Sequence, residues 1–213
     1  MPVIEVKNNF ARHTLLWWFT MPIAATLVLP MVFPHGSFNI SKSEMDFFAD
    51  YGRNIATVTV NADVIFKSAF VNTGIAEYMG KFFSSEGAFN LAPKAVQFAA
   101  SAGQNYNSAF WMMIYRGIWR FCALWPIYVG IFFSMVLPSF IDGLVTRAKK
   151  SFNFQFHNPV YFYSSMHTAV LVLGMGVFIP LLPMDLNSAL MAGFSVLLCL
   201  SFWVTASNFQ TGN

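Results

Sequence analysis

Two long apolar runs, residues 121–141 and 160–182, flank the basic segment Asp142-Gly143-Leu144-Val145-Thr146-Arg147-Ala148-Lys149-Lys150. Neither contains Asp, Glu, Lys or Arg, and His167 is the one imidazole inside them. Roughly 20 apolar residues rising about 1.5 Å each cross the ~30 Å hydrocarbon core of a bilayer, so each run is long enough to span. Inside hydrocarbon the backbone must satisfy its own hydrogen bonds, which a helix does. The pair reads as a transmembrane hairpin whose tip, residues 142–159, is a basic turn.

The whole chain agrees with this reading. Of 213 residues 56% are hydrophobic and 10% charged, against about 25% charged in an average soluble domain. The expectation is an integral membrane protein of one compact unit, with no length left for a large soluble domain. A net charge of +3 is too small to imply direct nucleic-acid binding, and the basic residues serve better as topology markers. Cys122 and Cys199 both lie in apolar stretches and read as small buried hydrophobes, not as a disulfide framework.

A tail, residues 1–14, carries Lys7 and Arg12 and leads into a first span, residues 15–33, with Trp17 and Trp18 at its entrance. That run is longer than the ~7 to 15 residues of a signal-peptide core and no small-x-small site follows, so a helix is expected, kinked or shortened by Pro22 and Pro30. Residues 34–109 collect six acidic and five basic side chains. Without a positive excess this excursion is expected in the periplasm. Within it Phe47, Tyr51, Ile55, Val58, Ala62, Ile65 and Ala69 recur at intervals of three and four, the mark of one amphipathic helix. Its apolar stripe predicts a packing face against a neighbouring helix or a second copy of the chain. Ser43, with Asp46 three residues on, predicts the N-terminal cap.

A further helix is expected from near Pro93, running through Trp111 and Tyr115 into the second span within residues 110–141. Arg116, Trp119 and Arg120 have the composition of an interfacial belt, and the two arginines are expected to snorkel to headgroups instead of facing an outer vestibule. Residues 186–206 make a fourth span, followed by a tail, residues 207–213. Lys7, Arg12, Arg147, Lys149 and Lys150 supply the positive excess that places both termini and the hairpin tip in the cytoplasm. The fold class is all-α: four transmembrane helices with a helical periplasmic excursion between the first and the second.

No phosphate loop, dinucleotide fingerprint, paired-cysteine motif or H-E-x-x-H is present. His13, His35, His157 and His167 are scattered, so a metal site exists only if the fold gathers them. The expectation is a protein without enzymatic activity, cofactor or metal. At the hairpin tip Asp142 and Gly143 suggest a helix terminus, with Gly as a left-handed cap and Arg147 paired to Asp142.

The sequence Pro138-Ser139-Phe140-Ile141-Asp142-Gly143-Leu144-Val145-Thr146-Arg147, then Pro159-Val160-Tyr161-Phe162-Tyr163 and a return span, resembles a family of inner-membrane proteins of integrating conjugative elements and conjugative plasmids, the TraJ-like family. The similarity covers the second half well and the first half only in layout. Phe162, Tyr163, Ser164 and Ser165 stand where that family carries His and basic residues. The resemblance implies an accessory inner-membrane component of a type IV secretion DNA-transfer system, partner of a coupling ATPase of TraG or TraD type. Asp142, Gly143, Arg147, Lys149 and Lys150 are then the expected partner-binding residues, with inner-membrane lipids as the other contact. The alternative is a small transporter or channel-forming subunit using Arg116, Arg120 and His167.

Overall fold

A computed structural model describes residues 10–83, 94–152 and 159–209. Helix α1 (Phe10–Leu15) passes through a π-helical turn (Leu16–Thr20) into α2 (Met21–Val32). The wide turn lies just ahead of Pro22, where the Met21 amide reaches back to the Leu16 carbonyl. Proline lacks an amide hydrogen and crowds the carbonyl four residues earlier, and a π turn relieves that crowding without breaking the helix. The prolines therefore do not end the first span early; it extends from Phe10 to Val32.

The expected single amphipathic helix is two helices. Helix α3 (Lys42–Asp50) ends at Gly52, which takes φ of 73° and lets the Gly52 and Arg53 amides bond to the Ala49 and Phe48 carbonyls. This closes the last turn in a Schellman motif, a conformation that a residue with a Cβ resists. Asn54 then caps α4 (Ile55–Phe66) by accepting from the Thr57 amide. The break rotates the stripe out of register. Phe47 and Val58 are buried and Ile55 half-buried, but Tyr51 and Ile65 are 47% and 45% exposed. The cap of α3 is Ser41, accepting from the Glu44 amide, and not Ser43.

A π turn (Lys67–Val71) and α5 (Ile75–Phe83) follow. Helix α6 (Lys94–Ile131) then continues through a π turn (Phe132–Val136) into α7 (Leu137–Phe152). The turn at Phe132–Val136, like the one at Leu16–Thr20, precedes a proline, Pro138. Pro93, near which this helix was expected to begin, lies outside the described residues, as do His157 and most of both tails. The hairpin tip is corrected: Asp142 to Lys150 is helical, and Gly143 is not a left-handed cap. Helices α8 (Pro159–Phe178) and α9 (Ser188–Ser207) complete the chain, with a 3-10 turn (Ile179–Leu181) between them.

The fold is all-α, with no strand among the described residues and four helices long and apolar enough to cross a membrane: Phe10–Val32, Gly103–Lys150, Pro159–Leu181 and Ser188–Ser207. The expectation of one compact unit gives way to two. The first comprises Met1–Pro22, Tyr128–Phe178 and Ala189–Asn213, and the second Ile23–Ile127 with Ile179–Ser188. Val136, Val172 and Leu198 form a core in the first, and Phe38, Ala109 and Met113 in the second.

Candidate functional site

In the second unit, helical spacing puts Arg116 and Arg120 one turn apart on the same face of α6. Glu44 meets both from α3. Arg120 grips it with two prongs, Nε to Oε1 and Nη2 to Oε2 at 3.0 Å, while Arg116 Nη2 reaches Oε2 at 2.9 Å. The turn between α8 and α9 closes the cage. Arg120 donates to the carbonyls of Pro180, Leu182 and Met184, and Arg116 to the Ser37 carbonyl and, at 3.0 Å, to Asp185 Oδ1. Glu44 and Arg120 are 0% exposed and Arg116 is 2%.

Two guanidiniums and two carboxylates sum to zero charge, which is how a group this costly to desolvate is kept inside. Asp185 stands at the rim, where Ser41 Oγ and Ser43 Oγ donate to its Oδ2 at 2.8 and 2.9 Å. The Ser41 hydrogen bond, seconded by Ser43 and the arginine charges, holds its carboxyl below the usual value against a smaller opposing effect of burial. Each carboxylate of the cluster is engaged by Arg, and Asp185 by Ser41 and Ser43 as well. The cluster ties α3, α6 and the α8–α9 turn to one another.

The snorkelling expected of Arg116 and Arg120 is therefore corrected, and Trp119, expected with them as an interfacial anchor, packs inside the protein. That indole is buried, donating to Thr59 Oγ1 at 3.0 Å and packing edge-on to Phe48. Tyr115 similarly donates to Asp63 Oδ1 at 2.7 Å, so α4 lies antiparallel along α6. Glu44 is the residue sequence reading missed. Carried back one turn, the Phe47 stripe lands on it.

In the first unit, four of the expected partner-binding residues, Asp142, Gly143, Arg147 and Lys150, meet α9 or the residues that follow it. Asp142 Oδ2 accepts from Trp203 Nε1 at 2.7 Å. Gly143 permits close approach: a Cβ there would stand 2.7 Å from both Ala206 Cβ and the Trp203 carbonyl oxygen. The Arg147 guanidinium lies 5.2 Å from the centre of the Phe209 ring. Lys150 Nζ donates to the Ser207 carbonyl and to Asn208 Oδ1 at 3.4 and 3.3 Å, a cation at the negative end of a helix. Lys149 is exposed, on a face of α7 shared with Val145, Ala148 and Phe152.

The same unit brings His13 to His167, Nδ1 to Nδ1 at 3.1 Å. One of the two must carry the hydrogen and the other accept it, so the pair holds α1 to α8. Trp18 Nε1, donating to the Val170 carbonyl at 3.0 Å, does the same a turn further on. No group of three potential metal ligands occurs among the described residues.

A family model described as "IncC plasmid conjugative DNA transfer protein DtrJ-like" matches residues 34–210. That stretch holds both the ion cluster and the α7–α9 contacts. No curated protein and no solved structure matches the chain.

Proposed function

Since the chain belongs to the DtrJ-like family of conjugative DNA transfer proteins, we propose that its part in transfer is that of an accessory inner-membrane component of a type IV secretion apparatus, a non-enzymatic partner of the coupling ATPase. Both termini and the end of α7 lie in the cytoplasm on this reading, and the excursion in the periplasm.

Two sets of contacts support the alternation of spans within that topology. Glu44 in the excursion meets the α8–α9 turn through the arginines, and Lys150 at the end of α7 meets the end of α9. Four alternating spans put each of these pairs on one side of the membrane. The observation that carries the partner reading is the preformed helix at the tip. Val145, Ala148, Lys149 and Phe152 make an exposed stripe of apolar groups around one cation, spaced as one face of a helix. Asp142 and Gly143 serve that face by fixing α7 on α9. The transporter alternative loses the residues it relied on, because Arg116 and Arg120 are enclosed by Glu44 and His167 is bonded to His13.

The test is co-purification with the ATPase and DNA transfer in Val145→Glu and Lys149→Gln, with abundance confirmed. Loss of both readouts in Val145→Glu and a weaker loss in Lys149→Gln are expected. Wild-type behaviour of both variants refutes the contact. Topology is read separately by an impermeant thiol reagent on spheroplasts, after replacing Cys122 and Cys199. Ser43→Cys should label and Ala148→Cys should not; the reverse pattern overturns the orientation.

A further inference from the structure

The second unit has a groove of about 590 Å³ between α4 and α6, lined by Asn61 and Val64 from the first and by Phe121, Trp125 and Pro126 from the second. Arg53 completes it from the corner between α3 and α4. The backbone of that corner is fixed: Gly52 turns at positive φ, the Arg53 amide bonds to the Phe48 carbonyl, and Asn54 caps the next helix. The side chain has no such tie. Arg53 takes part in no ion pair and no side-chain hydrogen bond among the described residues, and its Nε is shut off from solvent without a partner. Arg116 and Arg120, by contrast, share Glu44. We propose that this groove seats the phosphate of a membrane phospholipid on Arg53, with the glycerol and first acyl carbons along Phe121, Trp125 and Pro126.

Depth along the second span selects the occupant. Helix α4 runs antiparallel to α6, with Asp63 at Tyr115 and Thr59 at Trp119, so its start reaches on toward Trp125. Phe121 opens the uncharged run 121–141 and Trp125 follows one turn later. The two rings are 45% and 58% exposed and stack with their centres 6.0 Å apart. Exposed aromatic rings at the entrance of a span mark the headgroup level. A guanidinium without a carboxylate is costly in hydrocarbon, and the counter-charge a bilayer offers at that level is the phospholipid phosphate, whose oxygens match the guanidinium fork. Cation and apolar wall then meet the two parts of one molecule. Acyl carbons ask for no hydrogen bond from Val64 or Phe121, whereas the extended backbone of a docked peptide does. The inference requires residues 121–141 to lie in a bilayer, and it is independent of the ATPase contact and of the side the excursion occupies.

The experiment uses full-length protein purified in detergent and freed of lipid, then offered dioleoylphosphatidylglycerol, dioleoylglycerol, which has the same chains and no phosphate, or inorganic phosphate, with retained lipid counted by native mass spectrometry. Wild type should retain one phosphatidylglycerol in preference to dioleoylglycerol. Arg53→Gln should weaken that retention about fivefold, Arg53→Lys should weaken it less, and Lys67→Gln, an exposed cation outside the groove, should match wild type. Val64→Trp fills the groove from an exposed position of α4 and should abolish retention while the protein stays monodisperse. Equal retention of the two lipids, or retention unchanged in Arg53→Gln or Val64→Trp, overturns the proposal. Displacement of the lipid by inorganic phosphate at matched concentration would show an anion site without a chain and overturns it as well. In intact cells a photo-crosslinking residue in place of Asn61 should label phospholipid; a protein adduct in its stead refutes the lipid as occupant.

Discussion

Replacing Glu44 with Gln isolates the charge of the buried cluster while nearly preserving its shape. Among the described residues Glu44 is the only acid that touches both arginines, through Oε1 and Oε2, and all three side chains are at most 2% exposed. In Glu44→Gln one acceptor oxygen remains, but two guanidiniums one turn apart on α6 are left buried with Asp185, at the rim, as the one acid near them among the described residues. Breaking a buried pair from one side costs about 3 to 5 kcal/mol. For a chain of this size that corresponds to a fall in Tm of roughly 6 to 20 °C. The assay is thermal unfolding of purified protein in one detergent, beside Arg120→Gln and the double variant. The double variant restores the neutrality of the cluster, leaving Arg116 with Asp185, so it should lose less than the two single losses combined, with a coupling of about 0.5 to 3 kcal/mol. A Tm for Glu44→Gln within a degree of wild type, or strictly additive losses, would refute the claim that charge pairing holds these segments together.

Three further outcomes follow from the geometry. Gly143→Ala gains about 1 kcal/mol of helix propensity but forces α7 from α9 at about 1 to 3 kcal/mol. Because the obstructing atoms are a Cβ and a backbone oxygen at 2.7 Å, the net change in unfolding free energy should be a loss. The carboxyl of Asp185 is held below its ordinary value of 3.8, so its contribution to stability is complete above that value and disappears as pH falls through the folded pKa. Asp185→Asn should therefore flatten the fall of Tm as pH drops below 3.8; an unchanged profile counts against the rim assignment. Val58→Asp places an unpaired carboxylate at a fully buried position of α4 and should sharply lower accumulation on immunoblots, whereas Thr57→Asp at the exposed neighbour should not.

Family membership places both features in the matched stretch, yet they differ in how far the sequence exposes them. The α7 tip was visible as a basic cluster after an uncharged run, although its conformation was not. Asp-Gly is common at turns, so a terminus was the local expectation. The helix continues because Gly143, lacking a Cβ, lets α9 approach and the contacts of Asp142 and Lys150 with α9 repay its poor propensity. The ion cluster was less legible, since Arg116 and Arg120 look like interfacial anchors whenever their partner is out of sight.

What the chain determined by itself is what periodicity and length carry: four apolar helices, a helical excursion after the first, and the continuity of the excursion's last helix into the second span. These depend on residues within a few turns of one another. Tertiary structure alone decided the rest. Glu44 meets the arginines across 72 and 76 residues, and His13 meets His167 across 154. In hydrocarbon or in a protein interior a charge is stable only beside its opposite, and which opposite is near depends on how helices pack. Local sequence sets where a helix runs; packing alone shows which polar group each of its faces will find.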